Sequence, residues 1–388
     1  MKTINTPEGT RDRLFAECRE RRQVQDSLTA LFRRRGYQEV ITPEVEFYDL
    51  FTQSGNPLPQ ESMLKIIDRS GKIMVMRPDC TTPIARVAAT KLKTVPFPQR
   101  LYYAQTVFRS GNAHEGGSSE IAQCGVEMIG AMGRKADLEM VAMAVDALRS
   151  CGLERFHIEL GHAGFFRALA AQMEMPEDEA EQMRALIEGK NFAALDDLLA
   201  PYADQPAYRA LTRLPYLFGG LETLEEAEAL SGANEAVAYL RELYQELDQA
   251  GYGPWLRFDL GMVHQIDYYT GVVFRGYVEG AGAPVLSGGR YDKLVEMFGR
   301  SAEATGFAVD VDAVAGCLPA AAPPQLELVI HYETGELLRA LAVVDERPAG
   351  TCELSPCRTL ESSRNLAREK GAPLVLVLEN GTERLVEV

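Results

Sequence analysis

The chain has no surplus of basic residues. Its 388 residues hold 40 Lys+Arg against 56 Asp+Glu, a formal net charge of -16. Nucleic-acid-binding proteins neutralise phosphates with Lys and Arg and carry a basic footprint. This balance argues against RNA as the main partner, short of a local basic patch, and against docking on anionic membranes. No apolar run is long enough to cross a bilayer. The opening MKTINTPEGTRD has no apolar stretch behind its lysine, so it does not read as a signal peptide. The seven cysteines, Cys18, Cys80, Cys124, Cys151, Cys317, Cys352 and Cys357, are scattered, odd in number and without paired metal-ligand spacing. They predict buried, reduced thiols in a cytoplasmic protein rather than disulfides or a zinc site. There is no internal repeat and no low-complexity tract. What is present, 46% hydrophobic and 25% charged residues over 388 positions, suits a soluble globular chain with a large core and more than one domain.

Periodicity predicts an amphipathic helix over 12–35, with Leu14, Cys18, Leu28, Leu31 and Phe32 inward and Gly36 as its stop. A hairpin follows over 64–77, turning at Arg69-Ser70-Gly71, then a helix from Thr82 to Lys93. Strands are expected at 100–109 and 120–129 around the polar loop SGNAHEGGSS, a helix at 134–150 and a strand at 155–160. Residues 163–250, rich in Ala, Leu and Glu, read as a helical insertion. Strands return at 255–260, 271–278 and 283–287, a helix at 291–298, and a strand at 304–309. The run Pro319 to Pro324 reads as a linker between a domain over 1–318 and a small α/β domain over 325–388. Hairpins outnumber βαβ units before the linker, so the expected class is α+β, an antiparallel sheet flanked by helices.

The segment 120–129 alternates cleanly. Ala122, Cys124, Val126 and Met128 share an apolar face; Gln123, Gly125 and Glu127 share the other. Gly125 would leave floor space on the sheet. Arg109, Gln105 and Tyr103 fall on the same face of the partner strand. The plain alternative is a wet sheet face with an Arg109–Glu127 pair across the strands. Other segments tilt the balance. Asp79 and Thr81 precede a helix, Tyr269 lies near Asp267, and Gly288-Gly289 lets backbone approach before Tyr291. If these converge, carboxylates suit an ammonium or imidazole and the guanidinium suits a carboxylate. That pattern implies a small zwitterion with a basic side chain.

The segments RPDCTTPIARV, LYYAQTVFR, QCGVE, IDYYTGVVF and GGRYDKLV, in this order, closely resemble class II histidyl-tRNA synthetases over about residues 5–318. The resemblance implies a six-stranded antiparallel sheet and a self-dimer built around ITPEVEFYDLF at 41–51. It also implies histidine-binding positions at Asp79 (Glu in that family), Thr81, Arg109, Gln123, Glu127, Tyr269 and Tyr291.

The departures from the family are as informative. Where its second motif has Phe-Arg-x-Glu and a later arginine-rich loop, this chain has Phe108-Arg109-Ser110-Gly111 and a loop without arginine. The family's histidine-specific catalytic Arg is His264. The Arg of its third motif falls at Ala313, with the carboxylates Asp310 and Asp312 just before it. Adenylate formation needs fixed cations on the phosphates, and losing two arginines costs several kcal/mol of transition-state stabilisation. Residues 325–388 hold 7 Lys+Arg against 11 Asp+Glu, a poor footprint for tRNA. This combination, with EGTRD, ELGHAGFFRAL and GGRYDKLVEMFG, is similar to a paralogue family, the regulatory subunits of short-form ATP phosphoribosyltransferase, the first enzyme of histidine biosynthesis. That resemblance implies no catalysis, assembly with a short catalytic subunit in a hetero-octamer of four and four, activation of it, and feedback by histidine. It implies no cofactor and no metal.

Rival readings are an active histidine–tRNA ligase, or a free-standing histidine sensor serving another partner. His157-Ile-Glu-Leu-Gly-His162 resembles a zinc helix motif superficially. Its histidines are five apart on a strand, on opposite faces, so a metal site is not expected. His264 reads as a neutral space-filler rather than a pH-sensitive ligand contact, and the helices of 163–250 as scaffold first and partner surface second.

Overall fold

The computed structural model describes residues 5–52, 59–110, 118–263, 268–320 and 322–388. The expectations for Gly111 and its loop, for His264 and for Asp267 lie outside these residues. Two compact units divide the chain, Met1–Pro319 and Ala320–Val388.

The first unit begins with α1 (Ala16–Arg34). Its Val24, Leu28, Leu31 and Phe32 recur every three or four residues and are buried, as an amphipathic stripe requires. Gly36, at φ 82°, follows its end. Leu14 and Cys18 are exposed rather than inward. Leu14 lies before the helix, where Phe15 takes a left-handed φ of 45°, and the buried stripe starts only at Val24.

After β1 (Gln38–Glu39) comes a small antiparallel sheet of β2 (Val45–Phe47), β3 (Lys65–Ile67) and β4 (Ile73–Met76) in the order β2-β4-β3, with α2 (Asp49–Thr52) beside it. Then follow α3 (Thr81–Thr90), β5 (Gln99–Phe108), β6 (Glu120–Ile129), α4 (Arg134–Ser150) and β7 (Phe156–His162). The helical insertion comprises α5 (Ala163–Ala170), α6 (Glu177–Glu188), α7 (Phe192–Leu199), α8 (Tyr208–Arg213), the two-residue β8 (Phe218–Gly219), α9 (Glu222–Ser231) and α10 (Glu235–Gln249). Asn234 caps α10 by accepting from the Ala236 N–H, one of the donors a helix start leaves unpaired. The chain returns through β9 (Leu256–Asp259), β10 (Val272–Val278), β11 (Leu286–Arg290) and β12 (Ala304–Asp310) to α11 (Val311–Cys317).

The large sheet has the order β1-β5-β6-β12-β11-β10-β7-β9-β8. Its middle six strands, β5 to β7 in that order, are all antiparallel, as expected. The sheet is nonetheless nine-stranded and mixed. β1 joins β5 in parallel, β9 joins β7 in parallel, and β8 closes the far edge. β1 and β8 are two residues long, too short to show an alternation. Two boundaries also differ from expectation. β11 starts at Leu286 rather than 283, and the helix expected over 291–298 is only a 3-10 turn at Glu296–Phe298. The Tyr291 N–H is bonded to the Ala304 carbonyl, and the Asp292 carboxylate accepts from Thr270 and Arg290. These long-range bonds fix the start of the segment, which continues as turns into the 3-10 turn rather than as a helix.

One face of the sheet packs on α1, α4 and the insertion in the main core; the other carries a smaller core with α3. The second unit has β13 (Leu328–Tyr332), α12 (Leu337–Asp345), β14 (Cys352–Leu354), α13 (Leu360–Lys370), β15 (Leu374–Glu379) and β16 (Thr382–Glu387). They form a sheet ordered β14-β13-β15-β16 with a helix against each face. No helix among the described residues is long and apolar enough to cross a membrane.

Candidate functional site

The alternation of β6 sorts its side chains as the sequence predicts. Ala122, Cys124, Val126 and Met128 enter the main core. Gln123 and Glu127 face the other way, and strand register supplies their surroundings. Glu127 pairs with Gly306 on β12, Gly306 with Gly289 on β11, and Gly289 with Val273 on β10. Glu127 therefore looks along a row of glycines. A Cβ at Gly306 would stand 2.1 Å from Glu127 Oε2, so the carboxylate fits only because that neighbour has no side chain.

Asp79, Thr81, Arg109, Gln123, Glu127, Tyr269 and Tyr291, the seven residues singled out from the sequence, all line one cavity of about 140 Å³. Asp79 also caps α3, accepting from the Thr82 N–H at 2.8 Å and the Thr82 hydroxyl at 3.3 Å. Thr81, on the first turn of α3, donates its hydroxyl to Glu127 Oε1 at 2.7 Å. Tyr291 donates to Glu127 Oε2. Arg109, just past β5, donates through Nε to the Pro78 carbonyl at 2.8 Å, which anchors the guanidinium on the cavity wall.

The wet-face alternative is overturned. Glu127 is 2% exposed, and its hydrogen bonds go to two hydroxyls, not across the strands to Arg109. Gln105 turns to the backbone of Thr42 instead of the cavity. Gly125 does not provide floor space either. A Cβ there would meet the Tyr103 hydroxyl at 2.5 Å, so the glycine accommodates the Tyr103 ring. Tyr269 is not on a strand, since β10 begins at Val272.

Burial dominates the electrostatics. It raises the Glu127 carboxyl to about 8; the Tyr291 and Thr81 hydroxyls pull it down, and nearby Asp79 pushes it up. Burial also holds the phenols of Tyr103, Tyr268 and Tyr291 well above the ordinary tyrosine range. The rings are therefore neutral donors at physiological pH. A carboxylate kept from water is costly unless a cation or good donors meet it, so the cavity is chemically suited to an ammonium or imidazolium.

Tyr268, Ser287, Gly306, Phe307, Ala308 and Cys80 also line the cavity and were not identified from the sequence. Tyr268 lies in the IDYYTGVVF segment and stacks on Tyr291 with ring centres 5.4 Å apart; its neighbour Tyr269 was the detectable signal. Gly306 has no local signature, because its role follows from its register opposite Glu127. A second missed feature lies beneath the site. Arg290, 7% exposed, bonds Asp137 of α4 at 2.8 Å and also reaches Asp292 and Glu303. Asp137 in turn accepts from Tyr239 of α10 at 2.5 Å. This buried brace fixes β11, and with it Tyr291, against α4 and the insertion.

The other residues weighed from the sequence have local roles. His162 Nδ1 accepts from the Gly164 N–H and caps α5, while His157 lies 3.1 Å from Glu159. Asp310 caps α11 through the N–H groups of Asp312 and Ala313. Asp312 pairs with Arg13 at 2.9 Å and Arg21 at 3.7 Å.

Residues 9–314 match the family model described as Histidyl-tRNA synthetase, so the sheet and its cavity are of the histidyl-tRNA synthetase type. A protein of Bacillus cereus described as an ATP phosphoribosyltransferase regulatory subunit is 37% identical over 394 residues, spanning 98% of this chain and 93% of its own. Its counterpart of the same description from Clostridium kluyveri is 44% identical over 314 residues, 79% of this chain and 80% of its own. A crystal structure from Bacillus halodurans C, described as an ATP phosphoribosyltransferase regulatory subunit/histidyl-tRNA synthetase, superimposes with a TM-score of 0.85 at 29% identity, covering 97% of this chain and 98% of its own. The chain belongs to the ATP phosphoribosyltransferase regulatory subunit family, a branch of the histidyl-tRNA synthetase fold.

Proposed function

We propose that this chain is a non-catalytic subunit that holds histidine in the Glu127 cavity and activates a short-form ATP phosphoribosyltransferase catalytic chain, conveying feedback by histidine at the first step of histidine biosynthesis. The observation that carries the ligand is Glu127, a buried carboxylate held by two hydroxyls at the floor of a cavity that also presents Asp79 and Arg109. Two acids and one guanidinium complement a zwitterion with a second cationic group. The volume of about 140 Å³ suits a free amino acid better than the ~300–1,000 Å³ of drug-sized ligands. The relatives' descriptions support the partner. In this reading the chain self-dimerises within a cytoplasmic hetero-octamer of four and four. It needs no cofactor and binds no tRNA.

The same reading makes the chain catalytically silent. Where the synthetase family has the third-motif Arg, Ala313 offers no charge. Asp312 is paired with Arg13 and Arg21, so both of those cations are already engaged. A developing phosphate charge would meet carboxylates there, and electrostatic stabilisation of such charge is the main source of rate enhancement in this chemistry. Mixing the purified chain with a short catalytic subunit should raise phosphoribosyl-ATP formation, and histidine should lower it. An unchanged rate with no complex on sizing would refute the assignment. The match over 9–314 favours a second reading, an active histidine–tRNA ligase. Histidine-dependent pyrophosphate–ATP exchange at about 1 per second or faster would establish it.

A further inference from the structure

The register that builds the Glu127 cavity does not stop at its wall. Next to the row Glu127–Gly306–Gly289–Val273 lies a second row on the same sheet face: Gly125, Ala308, Ser287 and Arg275 on β6, β12, β11 and β10. Over the β11–β10 end of these rows is another cavity, of about 440 Å³. It shares Arg109, Tyr269, Ser287 and Gly288 with the first and adds Arg275, Met262, Val273, Phe274, Pro284 and, from the end of α6, Glu188. Four common wall residues make the two cavities neighbours along one trough, and the guanidinium of Arg109 stands at the boundary between them.

Arg109 is the cation of the first cavity, and Glu127 and Asp79 are its acids. An amino acid whose cationic groups sit at the acids directs its carboxyl end towards Arg109, hence towards the opening. Among the described residues, none closes off the carboxyl end. Beyond it Met262, Val273, Phe274 and Pro284 form the apolar wall, and the polar groups are the Ser287 hydroxyl, the Arg275 guanidinium and the Glu188 carboxylate, which is paired with Arg184. That lining suits an organic extension ending in a carboxylate.

We propose that the trough accepts ligands extended at the carboxyl end, specifically short peptides with an N-terminal histidine, the second residue lying in the larger cavity with its carboxylate towards Arg275. The proposal rests on the histidine-binding reading above and adds that free histidine fills only part of the site.

Calorimetric titration of the full-length chain with histidine, histidylglycine and glycylhistidine tests it. Histidylglycine keeps a free ammonium on the histidine and extends the carboxyl end, so it should bind within about tenfold of histidine. Glycylhistidine has that nitrogen acylated and should bind at least about tenfold more weakly, the scale of one lost charge-assisted hydrogen bond. Arg275→Ala should weaken histidylglycine by about tenfold and leave histidine unchanged. If histidine binds and histidylglycine does not, the carboxyl end is closed and the proposal is wrong, whatever the variant does. Equal binding of the two dipeptides, or equal loss of histidine and histidylglycine in Arg275→Ala, also overturns it. Failure of histidine itself to bind would instead refute the reading of the first cavity.

Discussion

Replacing Glu127 by glutamine would show directly whether the site is a cavity built for a cation. In the folded chain burial raises this carboxyl to about 8, against about 4.3 for an unfolded glutamate. Between these values the folded state binds more protons than the unfolded one, so stability falls as pH rises. The favourable contribution of the neutral acid is complete below about pH 4.3 and gone above about pH 8. At about 1.4 kcal/mol for each pH unit between the two values, the loss is on the order of a few kcal/mol. Glu127→Gln keeps the side-chain volume, accepts from one of the two hydroxyls through its carbonyl and donates to the other through its NH2, but carries no titrating proton. Urea unfolding of both proteins from pH 5 to 8.5 should show the wild type losing a few kcal/mol relative to the variant, since other titrations cancel in the difference. Ligand binding gives an independent readout. A cationic group beside Glu127 favours the carboxylate, so at pH 7 histidine binding should drive most of one proton off Glu127, about 0.9 for a group titrating near 8, read as the difference between wild type and variant because the ligand's imidazole can take up a proton in both. Calorimetry in phosphate and in Tris buffer measures this release, and the variant should release none from this position. A difference in stability that stays flat with pH, together with equal net proton exchange in wild type and variant, would refute a buried, neutral Glu127 that ionises for its ligand.

Gly306→Ala places a methyl 2.1 Å from Glu127 Oε2, against backbone that cannot yield; histidine binding by calorimetry should fall at least about tenfold, with stability lower by about 1–3 kcal/mol, the usual cost of overpacking. Arg290→Ala leaves Asp137 buried without its main partner and should cost about 3–5 kcal/mol in chemical denaturation, as for other broken buried pairs; a loss below about 1 kcal/mol would mean the brace is not structural. Burial lowers His162 to about 4 from about 6.5, so the unfolded chain binds the extra proton and stability should fall as pH drops from about 6.5 to 4. His162→Asn, which retains a cap for α5, should flatten that part of the unfolding profile.

Strand alternation and turn residues suffice to read much of this protein from its sequence. The period of two on Glu120–Ile129 separates Glu127 and Gln123 from the core-facing residues without knowledge of any partner strand. The helix of 134–150 is legible to its ends because its apolar stripe is long, and the insertion because Ala, Leu and Glu favour helix. The ordered motifs bring all seven site residues together in expectation, and the fold brings them around one cavity. What the sequence could not decide depends on pairs distant along the chain. Gly306 matters because register sets it against Glu127, on a strand far away in sequence. Arg290 is buried because Asp137 lies beneath it, and residues 291–298 form turns rather than a helix because Ala304 and Thr270 capture polar groups at their start. Alternation says which face a side chain takes, but burial of that face depends on what packs over it. Here α3 and the tyrosines cover it, so a surface that could have been wet became the floor of a cavity around a buried acid.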